Sequence, residues 1–542
     1  MSDYDVLVIG GGPNGLMTAG LLQAQGKNVC CTELNDHVGG LASNAHDIPG
    51  YVHNRGMWFL MFAQIDKLLN TLQLDKYGLE LMDPKHVGVI LPTKPTDPVF
   101  RMYNNPLETL EDIEGSFGKA TRQHFIDFMK YLEPFSLGMS YALANEPIAI
   151  GQIIDSMPSH EAQTAMSMLM YGTTKELANR FFPDENESVL RGYLAGMCTD
   201  GFFGGPMTPG SALTLAYHFG TPEAGEGATG SQFKVCKGHM GEFSNALARS
   251  FEGHGGTLLK NTEVAKILVR DGTAVGVRLK DGTEISADVV VSSLDDYNTF
   301  INLVGEDDTP TWLVDAIKNI NYTDVITQTY LAFNRLPTFR DEYEHLNHDD
   351  WRFQIWTMGS CEQFEQAWDD TKFGRVPKVL GTGLYFPSML DPTLAPPGHH
   401  TGTFCVSPSW PMGIAPKDYE ATKQEIFSNI CDYYELFMPD FRDCIDDWKM
   451  MAPPDYEKLY HNTGGTWTHG MVQLNQMFDH RPVKGMSNFR APIKRLYLCG
   501  SSNHPGPGVN GRPPQICINA MKKDGVLDAA GAKSKQTVGA RR

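Results

Sequence analysis

The stretch "DVLVIGGGPNGLMTAGLLQAQGKNVCCTE" occupies residues 5–33 of a 542-residue chain, and its reading decides the fold. "DVLVI" is a short apolar run suited to a strand buried on both faces. Gly10, Gly12 and Gly15 then spell G-x-G-x-x-G, and Leu16, Ala19 and Leu22 lie along one side of a helix. "NVCCTE" reads as a second strand ending in Glu33, about 20 residues after the first glycine. Glycines at such a turn let a pyrophosphate approach the helix N-terminus, and an acid at the end of the second strand accepts hydrogen bonds from ribose hydroxyls. Strand, turn, helix and acid together define a dinucleotide-binding βαβ unit.

The same spelling recurs twice. "GEGATG" (225–230) follows no apolar strand and leads into no periodic helix, so it reads as a surface loop. "GPGVNG" (506–511) follows the strand-like "RLYLCG" and precedes "PPQICINAMKK", a helix with proline in its first turn. Too little chain follows it for the rest of a second nucleotide-binding unit, so the motif by itself leaves its role at the end of the chain open.

Lys and Arg number 45 against 64 Asp and Glu, a formal charge of −19, which opposes nucleic acid as a partner. The ten cysteines show no zinc-ligand spacing, and Cys30 and Cys31 fall within an expected strand. They read as reduced core residues in a cytoplasmic compartment. His399 and His400 lack a carboxylate or cysteine cluster to complete a metal site, so no metal is expected. The first strand begins within about five residues and no apolar run of about 18 follows, which leaves peripheral contact with a membrane open.

Along the chain the pattern changes from α/β to helical and Met-rich, as in "AQTAMSMLMYG", where methionine reads as core filler. It returns to strands after Lys237, with "RDGTA" and "KDGTE" as hairpin turns and "ADVVVSS" as a buried strand. The organisation expected is a Rossmann-like α/β nucleotide-binding domain interleaved with a mixed α+β substrate domain. The nucleotide parts are residues 1–75, 235–300 and 485–530, the substrate parts are 76–234 and 301–484, and 531–542 is a tail.

After Glu33 comes "LNDHVGGLAS", with Gly40 and Ser43 in an acid-plus-double-glycine extension. On these residues the chain resembles the FAD-dependent oxidoreductases of the phytoene desaturase and amine oxidase type, although Leu41 stands where that family usually has arginine. "TEVAKILVRDGTAVGVRLKDGTEISADVVVSS" resembles the family's middle segment, and "LYLCGSSNHPGPGVNG" its closing flavin segment. "DPTLAPPGHH", "GGTWTHG" and "QMFDHRP" most resemble the pyridine nucleotide-disulphide oxidoreductase domain protein 2 group within it. The resemblance implies one noncovalent FAD held by Gly10, Gly12, Gly15, Glu33, Gly40, Ser43, Val264, Gly500, Pro505, Gly508 and Val509. It also implies a helix from near Pro513 whose free N–H groups and positive dipole end face the flavin.

Flavin N5 accepts a hydride by itself, so the protein mainly orients substrate and excludes water. His504 is a candidate to abstract a proton or to bond its own loop. His469 can face the ring or pack in the core, with Trp467 beside it as a substrate contact. Arg481 is a candidate for a substrate carboxylate or for an internal ion pair. The function the resemblance implies is removal of two hydrogens from an apolar small molecule to form C=C, with oxygen or a quinone as electron acceptor. Amine oxidation, flavin-dependent polyene isomerisation and a non-enzymatic, prenyl-binding role like that of the Rab GDP-dissociation inhibitors are the alternatives.

Overall fold

A computed structural model describes residues 2–56, 60, 64–199, 202–219, 234–348, 351–357, 359–378 and 381–527. The loop "GEGATG" and the tail at 531–542 lie outside the described residues.

Val6, Leu7, Val8 and Ile9 are all buried in the strand Tyr4–Ile9, because both its neighbours and both its faces are covered. Each such side chain contributes about 1.5–3 kcal/mol by leaving water. Tyr4–Ile9 pairs in parallel with Val29–Thr32 on one side and Glu284–Ser292 on the other. Thr257–Leu259 adds in parallel beyond Val29–Thr32, and Leu496–Leu498 beyond the C-terminal half of Glu284–Ser292. The N-terminal half of Glu284–Ser292 turns to a different partner, the antiparallel strand Thr273–Leu279, which pairs in turn with Val264–Arg270. Asp271 and Gly272, both at positive φ, make the hairpin turn expected from "RDGTA". A single strand thus joins a parallel nucleotide sheet to an antiparallel meander.

The helix Pro13–Ala24 is buried all round from Asn14 to Leu22, not on the single stripe of Leu16, Ala19 and Leu22. It is enclosed by the sheet and by the helices Met240–Gly253 and Arg512–Lys523. Gly15 permits this: a methyl there would sit 1.9 Å from the Gly10 carbonyl oxygen.

A second seven-stranded sheet runs in the order Ile445–Met451, Thr327–Phe333, His400–Val406, Thr382–Tyr385, Gln354–Thr357, His86–Leu91, Phe100–Tyr103. It is antiparallel except where Gln354–Thr357 meets His86–Leu91. Helices from the Met-rich span cover one face, with Met157, Met166 and Met170 buried in their common core. The helix Thr311–Lys318 departs from the expected division of the chain. Its apolar residues Leu313 and Ile317 pack with Leu7, Ile9 and Val290 on the nucleotide sheet, so the span 301–484 serves both sheets. None of the ten cysteines forms a disulfide, and nine of them are buried, as expected of core residues.

Candidate functional site

A cavity of about 830 Å³ lies between the two sheets and is walled by both. At one end the C-terminal edges of the parallel strands supply Gly10, Gly12, Glu33 and Asp295, where an open α/β sheet binds its ligands. Gly40 and Val264 join the lining there, and Pro505, Gly508 and Val509 line the cavity as well. Beyond them the wall turns to Met197, Leu213, Trp356, Phe364, Tyr385 and Met477, contributed by the helices and the second sheet. Trp467 and His469 also line it.

The Glu33 carboxylate accepts from the backbone N–H groups of Gly11 and Asn35, each at 2.9 Å. These bonds fix the acid at the lip of the glycine turn, while burial pushes its pKa above the usual carboxylate value. Gly12 is the helix N-cap, and a methyl added to it would meet no atom within 4 Å. The turn therefore carries an open cradle at the helix N-terminus. Gly40, at φ +50, closes against it: a methyl there would lie 3.9 Å from the Gly12 Cα. Asn14 contributes a buried Oδ1 with no hydrogen-bond partner. Acid, cradle, orphaned amide oxygen and helix dipole fit the adenosine and pyrophosphate of a dinucleotide.

Several expectations require correction. Ser43 does not reach the cavity; its hydroxyl donates to the Gly40 carbonyl oxygen at 2.7 Å and bonds the Tyr460 hydroxyl, bracing the second glycine turn from behind. Gly15 and Gly500 also stand behind the wall. Gly500 is small because a side chain would strike the Ser293 carbonyl at 2.6 Å, so it lets the last strand's end approach its neighbour. The helix Arg512–Lys523 offers no free N–H in its first turn. Arg512 N–H donates to Asn510 Oδ1, Pro513 and Pro514 have none, and Gln515 N–H bonds Gly511. Its contribution is the dipole alone.

His504 is wholly buried outside the cavity wall, with Nε2 donating to the Ala142 carbonyl at 2.7 Å. It neither faces the cavity nor bonds its own loop; it braces the turn against the distant helix Lys119–Ala144. Arg481 likewise does not face a substrate: it is 0% exposed, and its guanidinium donates to the backbone carbonyls of Thr468, Gly470, Gln476 and Ser501. It clamps the loop bearing Trp467 and His469 to the closing flavin segment. His469 does line the cavity, at φ +54, with a buried Nδ1 lacking a partner. Burial lowers its basicity, Asp295 opposes that shift and Arg481 adds to it.

Three further groups emerge only in three dimensions. Asp295 accepts from Thr463 N–H and Oγ1–H and from Asn298, tying the nucleotide sheet's edge to the 463–469 loop. Its position two residues past "VVVSS", beyond the carboxyl end of a parallel strand, was the signal that could have found it. Neighbouring Asp296 is fully buried, and burial pushes its carboxyl up to about 7 against the pull of Ser502 and Arg481. Asp324 accepts the Trp467 N–H at 2.8 Å and so orients that ring's backbone; no motif marks it.

A sheet edge that grips a dinucleotide and a second sheet that roofs an adjoining apolar cavity define the class of two-domain flavin oxidoreductases. The match to the flavin containing amine oxidoreductase family runs over residues 14–511, and the chain belongs to that family. It is an FAD-dependent oxidoreductase. Among curated proteins it is similar to mouse pyridine nucleotide-disulfide oxidoreductase domain-containing protein 2, 29% identical over 96% of this chain and 94% of that one. It is 24% identical to the lycopene-forming phytoene desaturase of Pseudescherichia vulneris, over 93% and 96% of the two chains. Among solved structures it resembles putrescine oxidase bound to putrescine, with a TM-score of 0.63 at 14% identity over 96% of this chain and 98% of that one, a likeness of fold.

Proposed function

We propose that this protein removes two hydrogens from an uncharged, mainly apolar small molecule, forming C=C, as the name of its desaturase relative describes for that protein. The observation that carries the reading is the change in the cavity wall: glycines, Glu33 and Asp295 at the nucleotide end, then Met197, Leu213, Trp356, Phe364 and Met477. A wall of that kind binds by excluding water from apolar surface. FAD, when bound, supplies the two-electron acceptor.

The chain's own residues do the rest. Glu33, Gly12 and Gly40 hold the adenosine and pyrophosphate, and Pro505, Gly508 and Val509 close over the other end. Arg481 holds the 468–476 loop so that His469 stays in the wall. His469, kept neutral by its burial, is the side chain placed to take a proton at its ring nitrogen. The apolar wall keeps water from the reacting carbon.

Anaerobic mixing of the yellow holoprotein with panels of polyenes and of amines tests this. Bleaching of the visible flavin band by an alkene, with a product two mass units lighter, is the expected result. Bleaching by amines alone overturns it in favour of amine oxidation, and an altered alkene of unchanged mass with no net bleaching overturns it in favour of isomerisation.

A further inference from the structure

The apolar part of the wall contains one amide that the fold leaves unanswered. Gln354 lines the cavity and is 4% exposed, and its Oε1 is buried without a hydrogen-bond partner. Its cross-strand neighbour Tyr385 is answered: the Tyr385 hydroxyl accepts from Asn54 Nδ2 at 3.1 Å. A buried amide oxygen without a donor costs about 1–3 kcal/mol, a cost a folded protein keeps only where something else meets it.

Two residues along the same strand, Trp356 lines the same cavity. Both flanking strands are cut away for its ring. A methyl at Gly88 would lie 2.8 Å from Trp356 Cζ3, and one at Gly383 would lie 3.1 Å from Cδ1 and Nε1. The indole therefore lies across the sheet, over a glycine on each side, as a flat floor. An aromatic floor beside an open amide pairs one apolar requirement with one polar one.

Resting on the apolar-substrate reading above, we infer that Gln354 selects the substrate: the cavity takes an uncharged, flat apolar molecule bearing one hydroxyl, whose O–H donates to the Gln354 side chain while its body lies on Trp356. A site that bonds a substrate hydroxyl rejects the analogue lacking it far more strongly than an apolar pocket rejects an added methylene.

The test uses holoprotein titrated with farnesol and with the hydrocarbon farnesene, binding being read from the perturbation of the visible flavin band. Farnesol is expected to bind at least tenfold more tightly. Gln354→Met, nearly equal in volume, should lose that preference by weakening farnesol about tenfold while retaining FAD and its melting temperature. Gly383→Ala, which lifts the Trp356 ring, should weaken both probes alike. Equal binding of the two probes to the unaltered protein, or an unchanged preference in Gln354→Met, overturns the role of Gln354 and leaves the apolar-substrate reading standing. Failure of both probes to bind overturns that reading and this inference with it.

Discussion

Arg481 Nη2 lies 2.8 Å from the carbonyl oxygen of Ser501, and the same guanidinium reaches Thr468, Gly470 and Gln476. One planar cation thereby joins the loop that carries His469 to the segment that closes over the flavin. Backbone carbonyls accept its donors, and its charge also acts on the buried Asp296.

Arg481→Lys keeps the charge and removes the fork of donors. Hydrogen bonds from a charged group contribute about 1.5–3 kcal/mol each, so the variant should lose about 3 kcal/mol or more in urea unfolding and retain less FAD. An unchanged unfolding midpoint would refute the clamp.

Gly12 and Gly15 separate binding from folding. Gly12→Ala should fold normally, since its methyl meets nothing in the protein, yet bind FAD at least tenfold more weakly because the methyl enters the cradle. Gly15→Ala drives a methyl into the Gly10 carbonyl and should lower the melting temperature itself. Melting curves of the apoproteins with FAD titrations distinguish the two.

Glu33→Ala removes an acceptor for ribose hydroxyls and strands the Gly11 N–H. A loss of about 1.5–3 kcal/mol per charged hydrogen bond predicts FAD affinity reduced by about tenfold or more. Flavin fluorescence on titration reads this directly. Acid precipitation of the unaltered holoprotein should release all its yellow colour, as a noncovalent cofactor does.

Buried histidines set an acid limit on stability. Burial holds His53 and His504 down to about 4 and His239 to about 3. The unfolded chain, with ordinary values near 6.5, binds more protons between those limits. Stability is therefore complete above about 6.5 and falls as pH drops toward 4. His504→Gln, able to donate to the Ala142 carbonyl, should flatten that slope, measured as unfolding free energy at pH 7 and pH 5.

His469→Ala should retain FAD and slow anaerobic flavin reduction by about 10²- to 10⁴-fold if the ring takes a proton. Normal reduction in that variant dismisses the role.

The nucleotide end was legible because its chemistry is local: the glycine turn, Glu33 and the closing segment each sit in a short run whose strand and helix flanks are readable. Ser43, Gly15 and Gly500, which the motifs point toward the cofactor, stand behind the cavity wall. A motif records which residues a turn needs, without separating those that touch the ligand from those that let two backbones meet. His504 and Arg481 could not be read because their partners, Ala142 and the carbonyls of a distant loop, are set by tertiary packing. Gln354 and Trp356 carry no motif at all. Only the register of their strand between Gly88 and Gly383 gives them meaning.

The split pairing of Glu284–Ser292 bears on how the molecule comes into being. Its first half pairs with neighbours close in sequence, while its second half waits for Tyr4–Ile9 on one side and Leu496–Leu498 on the other. Contacts of such span form slowly. During synthesis the hairpin is complete while the parallel sheet still lacks a strand, so the nascent chain carries an open sheet edge until Leu496–Leu498 has been made. A chaperone that covers this edge has its greatest effect in that interval.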